Sequence, residues 1–226
     1  MIIGAGLEEF MFSDFFKLWK TTSLLNEATN DAVKMLELTK DMYEFSLRVL
    51  IDNEKEVSDI YKLDQQLNEM QITVRRKVLE HLSINPQQDI TGALILVTIV
   101  VDIERIGDYA KNLIELAHNY PEKLCGGYCD RIRKLELAIT RNFIDTITAF
   151  KNADEVLGQE VMETHAKIAP EIEQIIEDIL VDKTLPGREA VIYALLARFL
   201  KRVSAHLKNV ASSVVNPFHR LGYKPE

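Results

Sequence analysis

The sequence predicts an all-α fold, and three observations support this prediction. The 226 residues include only nine Gly and six Pro, too few for the frequent turns of a β-sandwich. Long stretches without either residue are rich in Leu, Glu, Lys and Met, which favour helices. The alternation of polar and apolar residues that marks half-buried strands is absent over any useful length. A chain of this length forms one large domain or two small ones and can bury a core without disulfides or metals.

Turn residues divide the chain into six long segments. The predicted helices cover about 22–53, 54–83, 89–118, 130–151, 154–181 and 188–216. The turn SINPQQD ends the second segment, Pro186-Gly187 separates the last pair, and Asn216-Pro217 closes the final helix. Pro170 lies inside the fifth segment, where it predicts a kink or a break.

The six helices form two copies of a three-helix unit. The third helix has seven apolar residues at strict 3–4 spacing, which is the pattern of a packed helix face. The pattern returns 97 residues later, and a second match, LEL…EV, pairs Leu36 with Leu135 at a spacing of 99. Two matches in the same order indicate an internal duplication. The two series are Leu96, Ile99, Ile103, Ile106, Ala110, Leu113, Ala117 and Tyr193, Leu196, Leu200, Val203, Leu207, Val210, Val214.

The predicted architecture is two tandem three-helix bundles preceded by a short helix. Its segments are an N-terminal extension helix at 1–21, repeat one at 22–119, a linker at 120–129, repeat two at 130–217 and a tail at 218–226. The N-terminal segment carries Phe10, Phe12, Phe15, Phe16 and Trp19. Such a surface must be buried, either on the bundle itself, in a dimer contact or in a groove of a partner.

Composition narrows the class of protein. A net charge of −8 provides no broad cationic surface, so nucleic-acid binding is not expected. No apolar run approaches the length of a membrane span, and the N-terminus is a poor signal peptide. Cys125 and Cys129 are the only cysteines, and a lone CxxxC is more often a reduced pair in a loop than half of a zinc site. We therefore expect a cytoplasmic protein.

Carboxylates beside the packed faces suggest a metal site. Glu104 and Asp108 are four residues apart and share one helical face. Helix two carries a comparable pair, Asp64 and Asn68, and should lie antiparallel to helix three. Oxygen-bearing pairs on facing flanks suit a hard or borderline cation. Gly107, between the two acids, costs stability in a helix, which suggests that a helix or an ion approaches the backbone closely there.

Two other interpretations of these residues remain open. The acids could pair with Arg105, Lys111 or Arg75 on a solvated face. A ferritin-like di-iron protein needs two Glu-x-x-His motifs, and the sequence has only one, Glu115-Leu-Ala-His118. His165 occupies a position in the apolar series of helix five, which is typical of a hydrogen-bonded core histidine.

The segment DIERIGDYAKNL at Asp102–Leu113 resembles the signature of the PhoU family of phosphate-uptake regulators, (D/E)RIGD-x-A-x-N(I/L). The length, the two three-helix repeats and the repeat spacing are also similar, over about residues 22–217. Members of that family bind iron or zinc through (E/D)xxxD motifs. The resemblance implies Glu104, Asp108 and Asp64 as ligands, with Asn68 as a neutral oxygen donor. In repeat two, Lys201 and Ala205 replace Glu104 and Asp108, so we expect one site, for Fe, Zn or Mn.

The resemblance also implies a function in signalling. We expect a non-enzymatic, metal-binding, cytoplasmic adaptor that reaches the membrane only through its partners. The expected partners are the ATPase of a phosphate ABC transporter or a sodium–phosphate symporter, and a phosphate sensor histidine kinase. A homodimer is a further expectation. The alternative is a helical-bundle metal-carboxylate protein, either an iron-binding enzyme or a metal store.

Overall fold

The computed structural model describes residues 23–223, and within that range it contains helices and no strand. The six long helices are α1 (Ser23–Asp52), α2 (Ile60–Ile84), α3 (Ile90–Asn119), α4 (Gly127–Asn152), α5 (Glu155–Val181) and α6 (Gly187–Val215), followed by a 3₁₀ turn, Phe218–Arg220. The all-α prediction is confirmed. The predicted N-terminal helix at 1–21 lies outside the described residues. No helix in the described part of the chain is long and apolar enough to span a membrane.

Helices α1–α3 pack together as one bundle and α4–α6 as a second. All fourteen residues of the two apolar series are buried, none more than 6% exposed, as their spacing predicts. One continuous apolar core includes side chains from all six helices. The bundles meet where α3 packs on α6 and where α1 packs on α4, with the rings of Tyr43 and Phe143 5.2 Å apart.

The contact between α3 and α6 reflects the duplication directly. Tyr109 and His206 are equivalent residues, 97 positions apart, and their rings stack with centroids 5.7 Å apart. Asp102 and Phe199 are also equivalent. Asp102 accepts a hydrogen bond from His206 at 2.7 Å, and the ring of Phe199 lies 5.9 Å from that of Tyr109. Because equivalent residues make reciprocal contacts, the two repeats face each other about an approximate two-fold axis.

Two predicted helix starts differ from the structure by three or more residues, and the chain does not break at the proline inside the fifth helix. Helix α2 begins at Ile60, not near residue 54, because Asn53 takes a left-handed φ of 54° and ends the preceding helix. The Asp59 carboxylate then caps α2 by accepting from the backbone of Tyr61 and Lys62. Helix α4 begins at Gly127, three residues earlier than expected and inside the predicted linker. Helix α5 is continuous through Pro170, so the chain does not break there.

Candidate metal site on the first repeat

Helices α2 and α3 bring three of the predicted ligands to one edge of the first bundle. Asp64 extends from α2, and Glu104 and Asp108 extend from α3. Their side chains are 16%, 19% and 28% exposed, respectively. The apolar faces of both helices point into the core. Residues that lie next to those faces on the helix surface are therefore found at the edge of the contact between the two helices. The antiparallel pairing expected for α2 and α3 therefore places these carboxylates side by side.

Lys111 lies between two of these carboxylates. Its Nζ is 2.9 Å from Asp64 Oδ2 and 3.1 Å from Asp108 Oδ1. Burial disfavours the charge of Lys111, but its hydrogen bonds to Asp64 and Asp108 prevail and raise its pKa above the ordinary value. The lysine therefore stays protonated at neutral pH and links α2 to α3. Arg105 approaches the same acids, with Nη1 3.4 Å from Asp108 and Nε 3.9 Å from Glu104.

Glu104 lies in an environment that disfavours its negative charge. Burial raises the pKa of its carboxyl, and the neighbouring Asp108 carboxylate raises it further, while Arg105 acts in the opposite direction. Three carboxylates face two cations in this cluster, so one negative charge is left uncompensated. An additional cation would reduce this repulsion. The cluster thus combines the ion pairing that the sequence left open with a residual affinity for positive charge.

The ligand set Asp64, Asn68, Glu104 and Asp108 stays a prediction. Asn68 lies one turn after Asp64 on α2 and is partly buried. Within residues 23–223, no three His, Cys, Asp or Glu side chains are arranged to hold one metal ion. The oxygen donors suit a divalent cation chemically, but Lys111 already binds two of them. A metal ion therefore fits only if the Lys111 ammonium moves away from Asp64 and Asp108.

The close approach expected at Gly107 is confirmed, and the approaching group is a helix. A Cβ atom at Gly107 would lie 2.2 Å from Cδ2 of Leu67, a fully buried residue of α2. Any side chain at this position would have to displace the buried Leu67 side chain, so glycine lets α2 and α3 pack closely here. The same close packing holds Asp64, one turn from Leu67, against the acids of α3.

The second repeat has lost this arrangement. Lys201, at the position equivalent to Glu104, forms an ion pair with Glu173 on α5, and Ala205 replaces Asp108. Ser204 replaces Gly107 and hydrogen-bonds His165, with 2.9 Å between Oγ and Nδ1. The hydrogen bond predicted for His165 is confirmed, although the residue is only partly buried. Burial, reinforced by nearby lysines, lowers the pKa of His165 to about 4.

Sequence reasoning missed a polar cluster between the repeats. Asp102 Oδ1 accepts from His206 Nδ1 at 2.7 Å and from Asn209 Nδ2 at 2.8 Å. The only signal for this contact was the equivalence of the third and sixth helices in the two repeats.

Cys125 is exposed and Cys129 is buried, and both are free thiols. Cys129 lies in the first turn of α4 rather than in a loop.

Comparisons with known proteins agree with this geometry. The family model of the PhoU domain matches the chain twice, at residues 32–117 and 132–214. The chain belongs to the PhoU family. Each match lies within one three-helix repeat, so the duplication that the sequence indicates is a duplication of the PhoU domain. The two matched segments together exclude the N-terminal residues with the five aromatic side chains.

Individual PhoU proteins are similar over most of the chain. A homologue from Synechocystis, named as a phosphate-specific transport system accessory protein, is 22% identical over 198 residues, covering 84% of this chain and 87% of its own. A second homologue from Thermotoga maritima is 31% identical over 88 residues, or 38% of this chain. The crystal structure of PhoU from Pseudomonas aeruginosa has a TM-score of 0.77 at 19% identity, covering 84% of this chain and 95% of its own. PhoU from Streptococcus pneumoniae has a TM-score of 0.75 at 15% identity, covering 84% of this chain and 92% of its own.

Proposed function

We propose that this protein is a cytoplasmic, non-enzymatic regulator of phosphate uptake and of phosphate-regulon signalling. The observation that carries the proposal is the match of both repeats to the PhoU domain, together with relatives named as accessory proteins of phosphate-specific transport. The protein acts as an adaptor on the ATPase of a phosphate transporter or on a sodium–phosphate symporter. A phosphate sensor histidine kinase is its second partner.

We include metal binding at the first repeat in this proposal. Asp64, Glu104, Asp108 and Asn68 would supply the oxygen ligands, and the negative charge left uncompensated in the cluster supports cation binding. Lys111 is the competitor, because it holds Asp64 and Asp108 at 2.9 and 3.1 Å. The site therefore has two states, one closed by the lysine and one in which a metal ion replaces it.

Deletion of the coding sequence in its own host tests the regulatory role. The deletion strain is grown in abundant phosphate, and expression from a phosphate-regulon promoter is measured with a reporter. We expect the reporter to rise in the deletion strain and to return to its low level when the wild-type chain is supplied from a plasmid. Unchanged reporter expression in the deletion strain would contradict the proposal. Cross-linking in the complemented cells, followed by mass spectrometry of the membrane fraction, identifies the transporter and kinase subunits in contact.

Elemental analysis tests the metal site separately. Untagged protein, purified without chelator, is compared with the double variant Glu104→Ala/Asp108→Ala. We expect iron, zinc or manganese in the wild type and its loss in the variant. Equal metal content in both proteins would place any bound metal elsewhere. If the wild-type protein is metal-free and binds neither added manganese nor added zinc, metal binding is removed from the proposal. The regulatory role is not affected by that result.

A further inference from the structure

The second repeat contains a cleft of about 640 Å³ between α5 and α6. Met162, Ala166, Ala169 and Pro170 of α5 form an apolar wall, and Lys208 of α6 lies opposite. The chain after α6 closes one end, because the Ser212 hydroxyl accepts from the backbone N–H of Gly222 at 2.7 Å. A volume of this size falls within the usual range of small-molecule sites.

The cation in this cleft lacks the carboxylates that its counterpart has. Lys208 is equivalent to Lys111, 97 positions earlier. Lys111 is held by two carboxylates, whereas Lys208 donates to the backbone carbonyl of Gly222 at 2.5 Å. Among the described residues, no carboxylate lies within 4.0 Å of Lys208 Nζ. Ala205 replaces Asp108, one of the two acids that hold Lys111, and Asp102 acts on Lys208 only at longer range. An ammonium group has three N–H donors, so two remain for a ligand.

His165 of α5 adds a second polar group to the lining of the cleft. Its Nδ1 is fixed by Ser204, and the low pKa keeps the ring neutral at pH 7. When the Ser204 hydroxyl donates to Nδ1, the other ring nitrogen carries a hydrogen and can donate it into the cleft. The serine that replaces Gly107 in this repeat therefore orients the histidine.

Two acids also line the cleft. Glu173 is neutralised by its ion pair with Lys201. Glu163 is exposed, with Oε1 3.5 Å from the Gln159 amide nitrogen. Because Glu163 is solvated, its repulsion of a bound anion is screened by water. The cleft thus presents a partly buried ammonium group and a partly buried imidazole beside apolar side chains.

We propose that this cleft binds a small organic anion, with its oxyanion head at Lys208 Nζ and His165 Nε2. The apolar body of the ligand lies against Met162, Ala166 and Ala169. The oxyanion takes the place of the carboxylates that hold the equivalent lysine in repeat one. A carboxylate and a phosphate ester share this chemistry, so the experiment uses one probe of each kind.

Isothermal titration calorimetry with the full-length protein tests the site. The probes are hexanoate and hexyl phosphate, with hexanol as the uncharged control and inorganic phosphate as the control without an apolar body. We expect hexanoate, hexyl phosphate or both to bind at millimolar concentration or tighter, and hexanol and inorganic phosphate to bind at least about tenfold more weakly. The anion that binds more tightly identifies the preferred head group.

Three variants locate the binding. Lys208→Met should weaken the binding of the anion by about tenfold or more. Lys111→Met, the matched change in repeat one, should leave the affinity for the anion unchanged. Ala166→Trp keeps Lys208 but fills the cleft, and it should also abolish binding. The helical circular dichroism spectrum of each variant confirms folding. The proposal is overturned if neither anion binds, if hexanol or inorganic phosphate binds as tightly as the anions with an apolar body, or if Lys208→Met and Ala166→Trp both bind like the wild type.

Discussion

Replacement of Lys111 by Met is the sharpest test of the first-repeat cluster. The substitution keeps most of the length and apolar volume of the side chain, so the loss concerns the charge. It removes contacts of 2.9 and 3.1 Å to Asp64 and Asp108 and leaves three carboxylates with Arg105 as the one cation that still contacts them among residues 23–223. Charge-assisted hydrogen bonds of this kind contribute about 1.5–3 kcal/mol, and the cost rises when a partner stays behind unpaired.

The expected effect is large enough to measure by thermal unfolding. A loss of about 2 kcal/mol lowers the Tm of a chain of this size by about 4–8 °C. Because the pKa of Lys111 is raised in the folded state, its stabilisation is complete at neutral pH and is lost only as the pH rises through that folded pKa. The measurement is therefore made at pH 7, with chelator present. Manganese or zinc added in excess of the chelator should then recover part of the lost Tm in the variant.

Lys208→Met is the matched control, because the same residue type occupies the equivalent position and, among the described residues, has no carboxylate in contact with it. Burial lowers the pKa of Lys208, and Asp102 only partly opposes this effect, so removal of the charge should change the Tm little or raise it. Equal destabilisation by both substitutions would refute the argument that the carboxylates hold Lys111. If Lys111→Met lowers the Tm as expected but neither metal recovers it, the metal site is refuted and the role of the carboxylates in holding Lys111 still stands.

Three further changes test the packing and electrostatics of the fold. Gly107→Leu should destabilise the protein by about 1–3 kcal/mol in chemical denaturation, whereas Gly187→Leu, where a Cβ meets nothing within 4 Å, should not. Glu104→Gln should raise the Tm of the metal-free protein at pH 7, because the raised pKa of Glu104 means that its ionisation costs stability above that pKa. The gain should disappear near pH 4, and an equal gain at both pH values would contradict it. Asp102→Ala should cost about 1–3 kcal/mol, and an unchanged denaturation midpoint would show that the polar cluster between the repeats contributes nothing.

The helical packing was predictable because it depends on apolar spacing within single helices. Every residue of the two series from Leu96 and from Tyr193 is buried, since a 3–4 spacing defines one face regardless of the partner. The start of α2 was not predictable in this way. It depends on the backbone conformation of Asn53 and on the capping carboxylate of Asp59, whereas Glu54 to Val57 contain residues that also occur in helices. Local turn chemistry decided this boundary.

The candidate site was predictable only as far as the two helices fix it. Asp64 and the α3 acids could be placed together because they lie at the edge of the contact between two neighbouring antiparallel helices. The choice of Lys111 over Arg75 as the counterion could not be derived, since both are long side chains with several accessible directions. The cleft of repeat two was harder still. His165 occupies a position within the apolar series of α5. Its location at a cleft depends on Ser204 and on the chain near Gly222, which are distant from it in sequence.

Equivalent lysines in the two PhoU domains show how the repeats have diverged. In repeat one, close packing at Gly107 holds Asp64 against α3, and Lys111 neutralises the acids that gather there. In repeat two, Ser204 replaces that glycine and Ala205 replaces Asp108, so Lys208 is left beside an open cleft. Under the two proposals, one copy binds a cation through carboxylates and the other binds an anion through an ammonium group. Because α3 and α6 pack directly on each other through Asp102 and His206, a ligand that shifts either helix acts on the contact between the two domains.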